Sequence, residues 1–363
     1  MKLFLRFNYF KHLFLTLPGE KILPRTLPPW ETKRELHVKA EDHTDPKYGC
    51  KPSERAAKEL IRFGTINLDK PAGPTSHEVA AWIKKIMKVE AIGHGGTLDP
   101  KVTGVLPVTL EEATKMVQAL LYSGKEYVCV LKLHGDIGDA RIKQVLVEFE
   151  DEIYQRPPLR SSVKRQIRTR RIYYIDFLEH DGRNVLFKVG CEGGTYIRKL
   201  CFDVGEILGV GGHMQELRRS RAGPFTESSV KSVTMHDVAY WFGEYQSTKD
   251  QSFLCRFIEP MESALSMLPK IVVRDSAVDA LCHGASLTAP GVLQVDSGIV
   301  KDEVVGIFTL KGEAVALGKA LVSTQEVLDL RHGSVAGLVR VLMPRGTYPR
   351  VWKSGGSNEQ KTE

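Results

Sequence analysis

Helical spacing and alternation divide this chain into short elements. Residues 77–87 (HEVAAWIKKIM) set apolar side chains three and four apart, which predicts a helix with Ser76 as its N-cap. Similar spacing covers 52–62, 111–121, 139–149 and about 195–208, the last stopped by Gly209. Strands are predicted at 64–68, 105–109, 127–133, 172–179 and 185–191, with alternation clearest from Tyr127 to Leu133. Helices and strands mix without regular βαβ order, which makes the fold class α+β rather than Rossmann. Residues 240–268 read as irregular, with a short helix between Pro260 and Pro269. Beyond Pro269 short apolar runs separated by glycine turns (HGASL, APGVL, DSGIV, VVGIF, LKGEAVALGKAL, GLVRVLM) predict a small β-barrel.

Four segments result: an amino-terminal extension and arm over 1–45, an α+β domain over 46–262, the barrel over 269–352 and a polar tail over 353–363. The arm is rich in proline and charge from Leu23 to about Tyr48, and reads as extended chain anchored by Trp30.

Composition narrows the partners. The 363 residues carry 51 Lys plus Arg against 44 Asp plus Glu, a formal net charge of +7 that permits a polyanion without requiring one. At 42 % hydrophobic the chain can bury an ordinary core. Six cysteines, at 50, 129, 191, 201, 255 and 282, form no CxxC pair and suit reduced thiols in a cytosolic protein. No HExxH occurs among the 11 histidines, so no metal is expected. The first twenty residues are basic and rich in Leu and Phe, but Arg6, Lys11 and His12 interrupt every apolar run. A surface extension is expected there rather than an export signal. No stretch approaches the ~18 apolar residues of a membrane span.

The densest chemistry lies in Gly93–Gly104 (GHGGTLDPKVTG), where Asp99 precedes Pro100 on a glycine-flanked loop. Glycines allow close approach of a ligand or another backbone, and the proline stiffens the turn. Asp-Pro is also a common turn pair, and an Asp can serve as a cap. Spacing alone leaves these readings open.

GHGGTLDPKVTGVLPV resembles the catalytic-Asp motif of the TruB-type pseudouridine synthases. INLDKPAGPTSHEVAAWIKK, GKEYVCVLKLHGD, YQRPPLRSSVKRQIRTRRIYY and GCEGGTYIRKL agree, in family order. DPKYGCKPSERA, HMQELRRSRAGPF and the stretch from PKIVVRDSAVDALCHGASL onward are similar to the archaeal, dyskerin-like branch, the catalytic subunits of H/ACA ribonucleoproteins. The resemblance spans about residues 28–352. It implies a catalytic domain with a mixed β-sheet and flanking helices, followed by a PUA RNA-binding barrel.

The resemblance implies isomerisation of uridine to pseudouridine by one carboxylate, without cofactor or metal. Asp99 would be that carboxylate, as nucleophile. Arg198, in Gly-Thr-Tyr-Ile-Arg, would pair with it and offset the desolvation that raises a buried carboxyl. Tyr127, in Gly-Lys-Glu-Tyr-Val, would stack on the uracil and help remove the C5 proton. The target base must be flipped out to react, and His94 and Leu217 match positions lining its pocket. Lys70 and Pro71 are expected to support the loop. Gly95, where relatives often carry Ser or Thr, is expected to loosen that loop slightly. Phe202 stands where many relatives have His, and the segment 243–255 also departs from the family and is expected to be a loop.

Two basic runs complete the picture. Arg156–Arg171, including Arg168, Arg170 and Arg171, contains no acidic residue, and Arg218 and Arg219 begin a second cluster. Both are expected to meet RNA phosphates. Cys282–Leu287 and Ala289–Gly291 match the PUA segment that contacts RNA. Implied partners are an H/ACA guide RNA, rRNA and tRNA substrates (uridine 55 of the TΨC loop among them), and small Nop-type, Gar-type and kink-turn-binding proteins, with no membrane. The absence of long Lys-rich tails favours an archaeal, cytoplasmic protein. The rival readings are a non-catalytic scaffold that stabilises guide RNAs and a hydrolytic glycosidase, the latter disfavoured because the motif holds no second carboxylate.

Overall fold

Two β-sheets organise the molecule, each with a continuous row of buried aliphatic side chains. The computed structural model describes residues 26–156 and 166–350. The expected extension over 1–22, the polar tail over 353–363 and residues 157–165 of the basic run lie outside them. The elements needed below are β1 (Leu36–Val38), β2 (Gly64–Lys70), β3 (Ile92–His94), β4 (Thr103–Leu110), β5 (Lys125–Leu133), β6 (Asp151–Gln155), β7 (Arg168–Asp181), β8 (Asn184–Cys191) and β9 (Gly212–Ala222).

The first sheet runs β2-β4-β9-β5-β8-β7-β6, with β3 paired to β4 and shorter strands added beside β2 and β9. Burial alternates along all of β5, so Tyr127, Cys129, Leu131 and Leu133 face inward. Helices Asp139–Glu148 and Ile197–Leu208 cover that face through Ile142, Val145, Leu200 and Val204. The second helix stops at Gly209, whose φ of 80° suits glycine at a C-cap.

β9 has no counterpart in the pattern reading, because its row of charged residues gives no apolar alternation. It lies centrally nonetheless, antiparallel to β5 and parallel to β4 at Thr103–Arg218 and Gly104–Arg219. Ser76 is not the N-cap: Thr75 takes that place in a capping box with Glu78, and Ser76 is the first helical residue. The segment 243–255 is not a loop, since helices Met235–Thr248 and Ser252–Cys255 occupy most of it.

The second sheet is the carboxy-terminal barrel, and its order begins with β1. The arm is therefore not merely extended chain. Leu36, His37 and Val38 pair with Asp296, Val295 and Gln294. Lys39 Nζ donates to the carbonyls of Val327 (2.5 Å), Leu328 (3.1 Å) and Leu330 (2.6 Å), closing a helix end. Trp30 anchors the arm as expected: it packs edge-on against Tyr173 and Tyr174, and Arg221 sits over its ring. Within the barrel, Asp296–Val300 is not a strand throughout but turns at Gly298 (φ 77°), and Cys282 ends the helix Asp275–Cys282.

The two domains share a core. Phe63, Met116, Leu120 and Leu265 pack with Phe308, Leu317 and Leu342 across the joint. Beside it Arg55 makes a two-pronged contact with Glu262, at 2.7 and 2.8 Å, and Glu262 accepts from Ala314 N.

Candidate active site

The Asp99 loop leaves β3 and returns into β4, and cations and a serine hold its backbone. Lys70, fully buried at the end of β2, donates to the carbonyls of Pro71 (2.8 Å), Pro100 (3.1 Å) and Val102 (2.9 Å). Its expected supporting role is thus visible as three hydrogen bonds. Ser76 Oγ accepts from Leu98 N at 2.9 Å and donates to Leu98 O at 3.2 Å. Both residues beside Asp99, at 98 and 100, are therefore tied through backbone atoms. Gly95 N–H donates to Pro107 O, and a Cβ there would press on Leu120 at 3.0 Å.

Asp99 itself points outward, about half exposed, and Arg198 donates to its Oδ2. Arg198 is the second residue of the Ile197–Leu208 helix, whose first residue is buried under the sheet. Leu98, Val102, Tyr127 and Ile197 belong to one hydrophobic cluster, and Leu217 packs on it partly buried. The segments carrying Asp99, Tyr127, Arg198 and Leu217 thus converge on one patch of the sheet.

Tyr127 is 9 % exposed. Burial pushes its hydroxyl up from the ordinary value, while the charge and hydrogen bond of Arg219 act in the opposite direction. Next to it, Glu126 accepts from Ser220 Oγ at 2.6 Å and from the Tyr174 hydroxyl. His94 lies edge-on to His77, with ring centroids 4.9 Å apart. Burial first, then the neighbouring His77 and Arg219, lowers its pKa from 6.5 to about 4. The imidazole is therefore neutral at physiological pH.

The basic residues behave unequally. Arg219 is 1 % exposed and cannot meet RNA; it donates to Val105 O at 2.7 Å and Gly96 O at 3.0 Å. That corrects its assignment to the RNA surface, and the reason is its inward register in a central strand. Arg218 reaches the surface but is held by both Asp69 oxygens (3.1 and 3.0 Å) and by Glu227 (2.6 Å). Arg170 lies 3.7 Å from Glu192, and Arg171 lies near Asp151 and Glu152 at 3.5 and 3.1 Å. Arg168 begins β7, partly buried, and Arg156 is exposed just after β6.

Two contributors escaped the pattern reading. Ser76 was legible as a helix start but not as a loop support. Lys125 has no distinguishing signal in its neighbourhood, yet it is buried and donates to the carbonyls of Leu120 (2.6 Å), Leu121 (3.0 Å) and Ser123 (2.7 Å). Burial, with Arg219 close by, lowers it to about 7. A separate cleft of about 570 Å³, lined by Lys70, Pro71, Trp82, Thr103 and Arg218, includes neither Asp99 nor Tyr127. Among the described residues, no group of three or more His, Cys, Asp or Glu side chains could hold a metal ion, and no helix is long and apolar enough to cross a membrane.

Residues 84–197 match the TruB family pseudouridylate synthase N-terminal domain, and 198–266 match the tRNA pseudouridylate synthase B C-terminal domain. A PUA domain matches 269–342, and a DKCLD (NUC011) domain matches 27–80. The "Probable tRNA pseudouridine synthase B" of Methanopyrus kandleri is 56 % identical over 326 residues, covering 89 % of this chain and 95 % of that protein. The protein of the same name from Pyrococcus abyssi is 53 % identical, over 90 % of this chain and 98 % of its own length. Among solved structures, that of a Cbf5-Nop10-Gar1 complex superposes with a TM-score of 0.86 at 52 % identity, covering 90 % of this chain and 99 % of that one. The structure of an H/ACA RNP bound to a substrate RNA containing 2′-deoxyuridine gives 0.83 at 49 % identity, covering 90 % and 100 %.

Proposed function

Because the chain belongs to the TruB family of pseudouridylate synthases, we propose that it isomerises uridine to pseudouridine in RNA with Asp99 as its nucleophile. The observation that carries the assignment is the Asp99–Arg198 ion pair on a loop whose backbone is fastened by Lys70, Ser76 and Arg219. In the reaction the N1–C1′ bond breaks and a C5–C1′ bond forms; C5 then loses a proton and N1 gains one. The atoms balance without water or an electron acceptor, so neither cofactor nor metal is required.

Each residue has a part in this reading. Arg198 keeps Asp99 ionised and aimed while the closing RNA excludes water. Tyr127, on the sheet beneath, stacks on the flipped uracil and assists removal of the C5 proton. His94 and Leu217 wall the pocket, with His94 neutral and so without charge against the base. Arg156, Arg168, Arg170 and Arg171 hold phosphates, with Arg218 contributing through its exposed edge.

The substrates follow from the relatives. Those named tRNA pseudouridine synthase B support action on tRNA, where uridine 55 of the TΨC loop is the position proposed. The Cbf5-Nop10-Gar1 complex and the H/ACA RNP bound to a substrate RNA support assembly with Nop-type and Gar-type proteins on RNA; guide-directed action on rRNA and a kink-turn-binding partner belong to the same proposal. Cytoplasmic residence belongs to the same reading. The test incubates the protein and Asp99→Asn with partner proteins, guide RNA and target RNA, and separately with tRNA. Pseudouridine is expected from the unmodified protein alone; its absence in every arm would leave an RNA-stabilising scaffold.

A further inference from the structure

Arg219 is the largest fully buried side chain among the described residues, and its guanidinium donates to backbone carbonyls rather than to a carboxylate. Its guanidinium spends two donors on carbonyls: Nη2 on Gly96 O, three residues before Asp99, and Nε on Val105 O, in the strand that follows the loop. One side chain thus spans the loop's entry and exit. A buried guanidinium is costly unless its donors are used, so its retention at a position that would ordinarily hold an aliphatic residue calls for a reason beyond packing.

The register supplies that reason. Arg219 stands directly opposite Tyr127 in the β5–β9 ladder, and such cross-strand pairs bring Cβ atoms to about 5 Å. The backbone of Arg219 pairs in parallel with Gly104, where a Cβ would lie 2.2 Å from the Arg219 carbonyl. No other residue could bring the strands so close, and the close approach fixes the origin of the guanidinium. The same charge also reaches the Tyr127 hydroxyl, where it opposes the effect of burial.

We propose that Arg219 is a positioning residue for pseudouridine formation, joining the Asp99 loop to Tyr127 so that attack at C1′ and proton removal at C5 occur in one fixed geometry. It rests on the reading of Asp99 and Tyr127 given above. Arg219 does not touch RNA and acts only through these two groups. Lysine keeps the charge but lacks the planar fork, so it cannot hold Gly96 O and Val105 O together.

The experiment compares the full-length protein with Arg219→Lys in single-turnover reactions on an RNA that the unmodified protein isomerises, bearing either hydrogen or deuterium at C5 of the target uridine. Expected for Arg219→Lys are RNA affinity within twofold of the unmodified protein, a rate constant lower by about 100-fold, and a larger slowing by C5 deuterium. An unchanged rate constant overturns the proposal, as does a loss of rate that follows a loss of RNA affinity. A fall only in reacting fraction, with rate constant and deuterium effect unmoved, reveals a merely structural arginine and also overturns it. If Arg219→Lys does not fold, Gly96→Ala loosens the same carbonyl from its φ of 124° and must give the expected pattern. Failure of the unmodified protein on every RNA would instead count against the proposed function, which separates the two.

Discussion

Arg198 donates to the carboxylate of Asp99 from ninety-nine positions further along the chain, and both side chains remain about half exposed. An ion pair so open to water contributes little to folding, about 0.5 kcal/mol. On the proposed function, its value lies in what it does to Asp99 once RNA closes over both. Arg198→Ala is therefore expected to leave the melting temperature nearly unchanged, keep RNA affinity within a few-fold and lower turnover by about 100- to 1000-fold. Calorimetry and single-turnover assays on one preparation check this; a parallel fall in stability and rate would contradict it.

His94 gives the fold a dependence on acid. Its pKa falls from 6.5 to about 4 on folding, chiefly by burial. Between those values the unfolded chain binds more protons than the folded one, so stability is complete above pH 6.5 and declines as pH drops toward 4. The full effect is roughly 3 kcal/mol. His94→Asn should flatten denaturant midpoints over pH 4–6.5 relative to the unmodified protein.

Gly104 separates steric clash from backbone strain. Its φ is 105°, and a methyl group there would meet the backbone of Arg219 at 2.2 and 2.8 Å. Gly73 has a similar φ of 111° but open space around it. Gly73→Ala should cost about 1–2 kcal/mol of stability, and Gly104→Ala about 4 kcal/mol or more because β4 and β9 must part. Chemical denaturation of both variants measures the difference.

The basic residues should differ in their salt signature. Changing Arg168, Arg170 and Arg171 to Gln is expected to flatten the dependence of log RNA affinity on log salt by about one to two charges, short of three because nearby carboxylates already occupy part of Arg170 and Arg171. Arg218→Gln should flatten that slope by less than one charge, because Asp69 and Glu227 already hold its guanidinium. Filter binding across a salt series distinguishes the two.

The elements beneath the candidate site were legible in the sequence pattern, whereas the parts given to Asp99, Tyr127 and Arg198 came from the family resemblance. The glycine-flanked Asp99, Tyr127 on an alternating strand and Arg198 at a helix start all stand on elements that the pattern predicts. What escaped was residues whose burial contradicts their chemistry. β9 hid because its inward position is an arginine, and apolar periodicity cannot register a buried cation. Lys125 hid for the same reason. Ser76 was misread by one place because Thr75 and Ser76 can both cap a helix, and only the reach to Leu98 decides which does. β1 is three residues of an otherwise polar arm, too short for alternation to show.

That short strand gives the protein an unusual order of assembly. Leu36 pairs with Asp296, so the first described strand to leave the ribosome finds its neighbour only after the whole α+β domain has been synthesised. In topology the enzyme domain is an insertion within the barrel, entered after Val38 and left before Lys270. Loop closure costs rise only slowly with length, so the long delay carries little thermodynamic penalty. A fragment beginning at Pro269 would carry every later barrel strand yet expose the edge of Val292–Asp296 that β1 normally covers. Cut there, the PUA barrel would be born with an adhesive flank, and its natural protector would remain on the other piece.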